Sequence, residues 1–131
     1  MHETFNLEIN ITYMLYLNYE VVYYLLPSGR IPVKEYLCDF NTDERAEIKR
    51  SFDFLSLKEG RLPAPYSKHV SKKIWELRIK YLNHRHRILY FIGSRRKIVL
   101  LSAFLKKTSK TPRTEIARAN KYYLNYLSNT L

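Results

Sequence analysis

Four cations stand where flanking apolar residues fix their direction: Arg78 in IWELRIKY, Arg87 in HRHRILYFI, and Lys106-Lys107 at the end of IVLLSAFLKK. Guanidinium and ammonium groups fixed around a phosphate suit RNA cleavage by the substrate's own 2′-hydroxyl. Charge then builds on the nonbridging oxygens and on the departing 5′-oxygen, and preplaced cations lower that barrier. Arg87 and Arg78 are candidates to clamp the phosphate, with Arg87 at its centre. Lys106 and Lys107 add a second positive contact, and crowding by like charges lets one of them serve as base or acid. Phe104, two residues before Lys106 on the same strand face, either stacks on a base or packs.

Other residues of the same stretch extend this reading. The loop LPAPYSKHVSKK carries Lys68, Lys72 and Lys73 beside Tyr66, a mixture suited to phosphate contacts and base stacking on single-stranded RNA. His84-Arg85-His86 and His69 raise two further possibilities. A metal site is not expected, because Glu76 is the one carboxylate nearby in sequence and the arginines repel a cation. A histidine pair could act as base and acid in RNA cleavage, although histidines one residue apart at a turn also fit a wet loop. His86, next to Arg87, is the one retained as an RNA contact. No cofactor is expected.

Three strands must position these groups. Trp75, Leu77 and Ile79 alternate with Glu76, Arg78 and Lys80, the period of a half-buried strand with one wet face. Arg87 to Ile92 is apolar on both sides after its arginine, so it reads as an interior strand with Arg87 at the rim. Gly93-Ser94 supplies a hairpin turn, and Ile98 to Leu105 forms a strand covered on both faces. Thr111-Pro112 then starts a helix, with threonine as cap and proline in the first position. That helix places Ile116, Ala119, Tyr123 and Tyr126 or Leu127 on one stripe.

Upstream, YEVVYYLL at 19–26 reads as a strand closed by Pro27-Ser28-Gly29. Pro32 opens a short helix. Asn41, with Glu44 three residues on, caps a second helix whose stripe is Ile48, Phe52 and Leu55, and Gly60 ends it. The expectation is an α+β domain: a twisted, mainly antiparallel sheet of four or five strands. Two N-terminal helices, an antiparallel pair without chemistry of their own, cover one face, and the C-terminal helix lies near the basic edge.

The strings WELR, HRILYF and LLSAFLKKTSKTP, followed by EIARA, resemble the HigB-like, often phage-carried branch of the RelE/HigB toxins of type II toxin-antitoxin systems. The resemblance runs from about Tyr19 to Tyr126. It implies a small RelE-like toxin that cuts messenger RNA on the ribosome and is neutralised by a helix-turn-helix, HigA-like antitoxin. It also places the second arginine, Arg87, and the basic pair in the active site, with Arg78 matching the arginine of the first motif. Two positions depart from the family pattern: Lys73 stands where glycine is usual, and His86 where an apolar residue is. Neither removes a charge the chemistry needs.

Length and composition agree with one cytoplasmic domain. The 131 residues suit a single core, and one cysteine, Cys38, excludes an internal disulfide and is expected to be a small buried hydrophobe. Residues 1–66 carry seven Lys/Arg against ten Asp/Glu, whereas residues 67–121 carry sixteen against two. So one-sided a field favours a polyanion. Residues 1–17 read as an N-terminal extension that is neither signal peptide nor membrane span, ahead of a domain over 18–131. The main competing reading is a basic RNA- or DNA-binding module that leaves its ligand intact. A decayed toxin kept only as a partner of its antitoxin is weaker, because the set of cationic motif residues is complete.

Overall fold

The computed structural model describes residues 19–130, so the expected extension over 1–17 lies outside the described residues. Five strands form one sheet: β1 (Glu20–Tyr23), β2 (Ser67–Ser71), β3 (Ile74–Tyr81), β4 (His84–Ile92) and β5 (Lys97–Leu105). Their spatial order is β1-β5-β4-β3-β2, with β1 parallel to β5 and every other pair antiparallel. Helices α1 (Pro32–Leu37), α2 (Thr42–Leu57) and α3 (Arg113–Thr130) complete the expected α+β architecture.

The sheet is covered on both faces. On one, Leu77, Ile79, Ile88, Tyr90, Ile98 and Leu100 pack with Val33 and Leu37 of α1 and Ile48, Phe52 and Leu55 of α2. On the other, Ile74, Leu89, Phe91, Val99 and Leu101 pack with Ala119, and Tyr122, Tyr123 and Tyr126 of α3 close over them. Burial on both faces explains why β4 and β5 read as near-continuous apolar runs. Asn41 caps α2 as expected, its side-chain oxygen accepting from the Glu44 amide at 2.9 Å.

Five local expectations are corrected. Glu76 is fully buried and Arg78 half-buried, so the polar side of β3 is wet only toward Lys80. β4 begins at His84, which moves Arg87 from the sheet's rim to a buried interior position. Half of the loop before β3 is an edge strand, β2. The β4–β5 turn takes its positive φ at Arg95 and Arg96, both +57°, and not at Gly93. Cys38 terminates α1 and is exposed.

A β-bulge in β5 bears directly on the site. Leu89 faces Ser102 while Tyr90 faces Leu100, leaving Leu101 as an extra residue. The bulge changes which residues look toward α3. Val99 and Leu101 pack there before it and Phe104 after it, while Ala103 packs on the opposite face. Phe104, and with it the following alternate residue Lys106, thereby share a face with Arg87.

Gly60 shows how tightly the sheet is closed beyond α2. Its φ is +86°, a Cβ there would lie 2.8 Å from Ile92 Cγ1 and Cδ1, and its carbonyl accepts from the Tyr90 hydroxyl at 2.7 Å. Gly60→Ala is expected to lose about 1–3 kcal/mol of stability through the left-handed backbone and the displaced isoleucine. Urea unfolding should show a lower midpoint at unchanged slope.

Candidate functional site

Cross-strand register builds the site. Arg78 of β3 stands opposite Arg87 of β4, and Arg87 stands opposite Phe104 of β5. Like charges directly opposite one another repel, so the pair needs a counter-charge. Glu76, two residues before Arg78 and hence on the same face, provides it with no solvent exposure. Its Oε1 accepts from Arg78 Nε at 3.0 Å and lies 3.6 Å from Arg87 Nε, while its Oε2 accepts from the Thr111 hydroxyl. Thr111 thus holds the carboxylate, and α3 starts at Arg113, so Pro112 precedes the helix and does not take its first position, and Thr111 lies one residue further out than a cap.

One carboxylate does not neutralise the cluster. Arg87 is 7% exposed and donates through Nη1 to the His86 carbonyl at 3.0 Å, but its Nε has no hydrogen-bond partner among the described residues. Burial lowers the Arg87 pKa, Glu76 opposes that shift, and the charges of Arg78 and Arg85 add to it; the guanidinium remains a cation. The Lys106 backbone amide donates to the Arg85 carbonyl at 2.8 Å, which anchors the end of β5 to β4. The Lys106 ammonium is pushed below the ordinary lysine pKa by burial and then by Arg87 and Arg78, with Glu76 acting the other way.

The cluster opens onto connected depressions. A cavity of about 440 Å³ is lined by Pro65, Tyr66, Lys80, Arg78, Arg85 and Arg87 among others. Arg85 also borders a cavity of about 650 Å³ whose walls include Lys106, Lys107 and Thr108. On the other side, Tyr66 and Arg78 border an apolar cavity of about 350 Å³ with Phe54 and Leu62. A flat aromatic and an apolar recess therefore lie beside the cations.

The expected site residues divide accordingly. Arg78, Arg87 and Lys106 come together, with Lys107 exposed on the adjoining cavity. Lys68 stands opposite Glu76 across the β2–β3 pair and so shares the face. Lys72 and Lys73 sit in the turn at the far end of β3. Lys73 is five residues from Arg78, roughly 16 Å along a strand. Phe104 packs against the α3-side core.

His86 is corrected as an RNA contact. It is fully buried on the opposite face, under α1 and α2, because neighbouring strand residues point to opposite sides. Its Nε2 lies 2.6 Å from Glu44 Oε2 and its Nδ1 2.7 Å from the Tyr36 hydroxyl, and His84 Nδ1 reaches the same Glu44 oxygen at 2.7 Å. Burial lowers the His86 pKa, against the opposing pull of Glu44. Burial raises the Glu44 carboxyl, but hydrogen bonds with His84 and His86 outweigh it and leave a net downward shift.

Glu76 and Glu44 were both missed as site residues. The period-two pattern already put Glu76 on the face of Arg78, and that was the available signal. For Glu44, forty residues from His84, no local pattern exists.

Removing the central counter-charge tests this account. Glu76→Ala leaves the Arg78–Arg87 pair without its carboxylate and is expected to cost about 3 kcal/mol. A loss below about 1 kcal/mol in denaturant unfolding, the range of an ordinary exposed pair, would show that the arginines do not depend on it.

No helix among the described residues is long and apolar enough to cross a membrane. No curated protein matches the chain. The model of one protein family, described as Phage derived protein Gp49-like (DUF891), matches residues 35–124, which span α1 to most of α3 and include every cationic group of the cluster. Covering more than half of the chain, this match shows that the protein belongs to the phage-derived Gp49-like family, a family associated with RelE-like toxins.

Proposed function

We propose that the protein is the toxin of a type II toxin-antitoxin system, of the HigB-like kind, acting as a ribosome-dependent mRNA endonuclease in the cytoplasm. The observation that carries the reading is the Arg78–Arg87 pair, held together by one buried carboxylate that does not neutralise both, at the wall of an open cavity lined by Arg85 and Lys80 as well. A phosphodiester supplies what the cluster lacks. The scissile phosphate sits against Arg87 and Arg78, which gain as charge develops on its nonbridging oxygens. Lys106, its pKa depressed, exchanges a proton with the 2′-hydroxyl or the leaving 5′-oxygen. Lys107 and Lys68 hold flanking phosphates, while Tyr66 offers its ring to a base lodged toward Phe54 and Leu62. The ribosome presents mRNA single-stranded and extended, as such a groove requires. A helix-turn-helix antitoxin of the HigA-like kind is the expected protein partner.

Mapping of mRNA 5′ ends after brief induction tests the reading. New cuts are expected within translated frames, and Arg87→Ala, shown to be folded, should reduce them by about 10²–10³-fold, the usual cost of one transition-state donor. RNA binding with a steep salt slope but no new cuts would sink the nuclease and leave a basic binding module. The role of Lys106 has its own readout in single-turnover cleavage on purified ribosomes. As a base Lys106 must be neutral, so the rate should climb with pH up to its lowered pKa and then level off. Lys106→Arg should abolish that climb, since arginine stays protonated throughout.

A further inference from the structure

The face of the sheet turned away from the cationic cluster carries a second constellation that the nuclease reading does not use. Glu44 comes from the first turn of α2, and His84 and His86 from the start of β4. Their three donor atoms, one carboxylate oxygen and two imidazole nitrogens, lie within 4.8 Å of one another. We propose that Glu44, His84 and His86 form a binding site for a divalent transition metal, with zinc as the best fit.

The donor set selects the metal. Two imidazoles and one carboxylate suit zinc and its neighbours, whereas magnesium and calcium demand oxygen ligands. Zinc sites of three protein ligands with water in a fourth, open position use this composition. Both imidazole nitrogens already aim at one oxygen, Glu44 Oε2, at 2.7 Å from His84 and 2.6 Å from His86. Tetrahedral ligation at about 2.1 Å sets donors about 3.4 Å apart, so each imidazole nitrogen must draw back from the Glu44 oxygen by roughly 0.8 Å. His84 can supply its own share, because its side chain is 45% exposed, whereas the buried His86 and Glu44 part by a turn of the carboxylate. The exposed side of His84 also leaves the fourth position open to water.

The surroundings fit a ligating histidine. With a metal on Nε2, the His86 ring carries its proton on Nδ1 and donates it to the Tyr36 oxygen 2.7 Å away, the second-shell hydrogen bond such ligands use. Phe40 packs edge-on against both imidazoles, with ring centroids 5.6 Å from His84 and 4.7 Å from His86. Arg87, expected to repel a cation, points to the opposite face and is paired with Glu76, and its push on His86 is smaller than the pull of Glu44. A bound ion would tie the start of α2 to the β3–β4 hairpin, a structural role independent of RNA cleavage.

The test uses the full chain without a polyhistidine tag, freed of metal by a chelator. Titration with Co²⁺ should produce the intense visible bands of a four-coordinate site at one equivalent per chain. Zn²⁺ should displace the Co²⁺ and raise the melting temperature with concentration. His84→Ala, which removes a half-exposed ring and keeps the core, should weaken Zn²⁺ binding by about tenfold or more, as should His84→Gln. His69→Ala, a control on the exposed edge strand, should leave it unchanged. Absence of the Co²⁺ bands, or Zn²⁺ affinity equal in the wild type and both His84 variants, would overturn the site. Neither readout depends on whether the protein cuts RNA.

Discussion

Glu76 stands among Arg78, Arg87 and Thr111 with no contact to solvent, and that carboxylate makes the neighbouring geometry possible. Two arginines directly opposite on adjacent strands repel, and burying a guanidinium adds a desolvation cost. A single anion placed between them offsets both, because its attraction acts in a poorly screened interior. It does so incompletely, since Lys106 and Arg85 bring further positive charge to the same end of the sheet. The result is a rigid positive surface whose remaining charge is directed at solvent. Such an arrangement costs stability in the absence of an anion and gains it back on binding one.

Strand alternation keeps the two polar constellations of the molecule apart. In His84-Arg85-His86-Arg87 the histidines turn toward α1 and α2, and the arginines toward α3 and the cationic cavities. Four consecutive polar residues thus serve opposite faces of one central strand. The bulge at Leu101 does the matching work on β5, converting an odd-numbered face into an even-numbered one so that Phe104 and Lys106 meet Arg87. Without the extra residue, Lys106 would lie on the histidine side.

Regular periodicity made most of the fold legible. The runs of β3, β4 and β5, the capped α2 and the tyrosine stripe of α3 are all visible as spacing, and the cationic motif residues could be named from their neighbours. Features that depend on long-range contact were not visible. Glu44 meets the histidines only because the first turn of α2 comes to lie by the start of β4, and β2 exists only because β3 offers it an edge. The wet face of β3 stops short of Glu76, because a carboxylate looks solvent-seeking until its arginine partners and Thr111 are placed. His86 differs for the opposite reason: it adjoins Arg87 in sequence, and strand alternation for that very reason points it to the other face.

The link between α3 and the cluster gives the site a mechanical dependence. Thr111 stands just before α3 and bonds to Glu76, while Ala119 and the tyrosines of α3 pack over Leu89, Phe91 and Val99 on the same face. Tyr24, carried at the end of β1, hydrogen-bonds to Asn125 at 2.6 Å and stacks on Tyr122, fixing the helix from its far end. The segment leading into α3 is therefore joined to the buried carboxylate through Thr111. A shift at the start of α3 would withdraw that hydrogen bond from Glu76, the carboxylate that also holds Arg78 and Arg87. The charge geometry of the cluster is thus set as much by the packing of the C-terminal helix as by the strands that carry the charges.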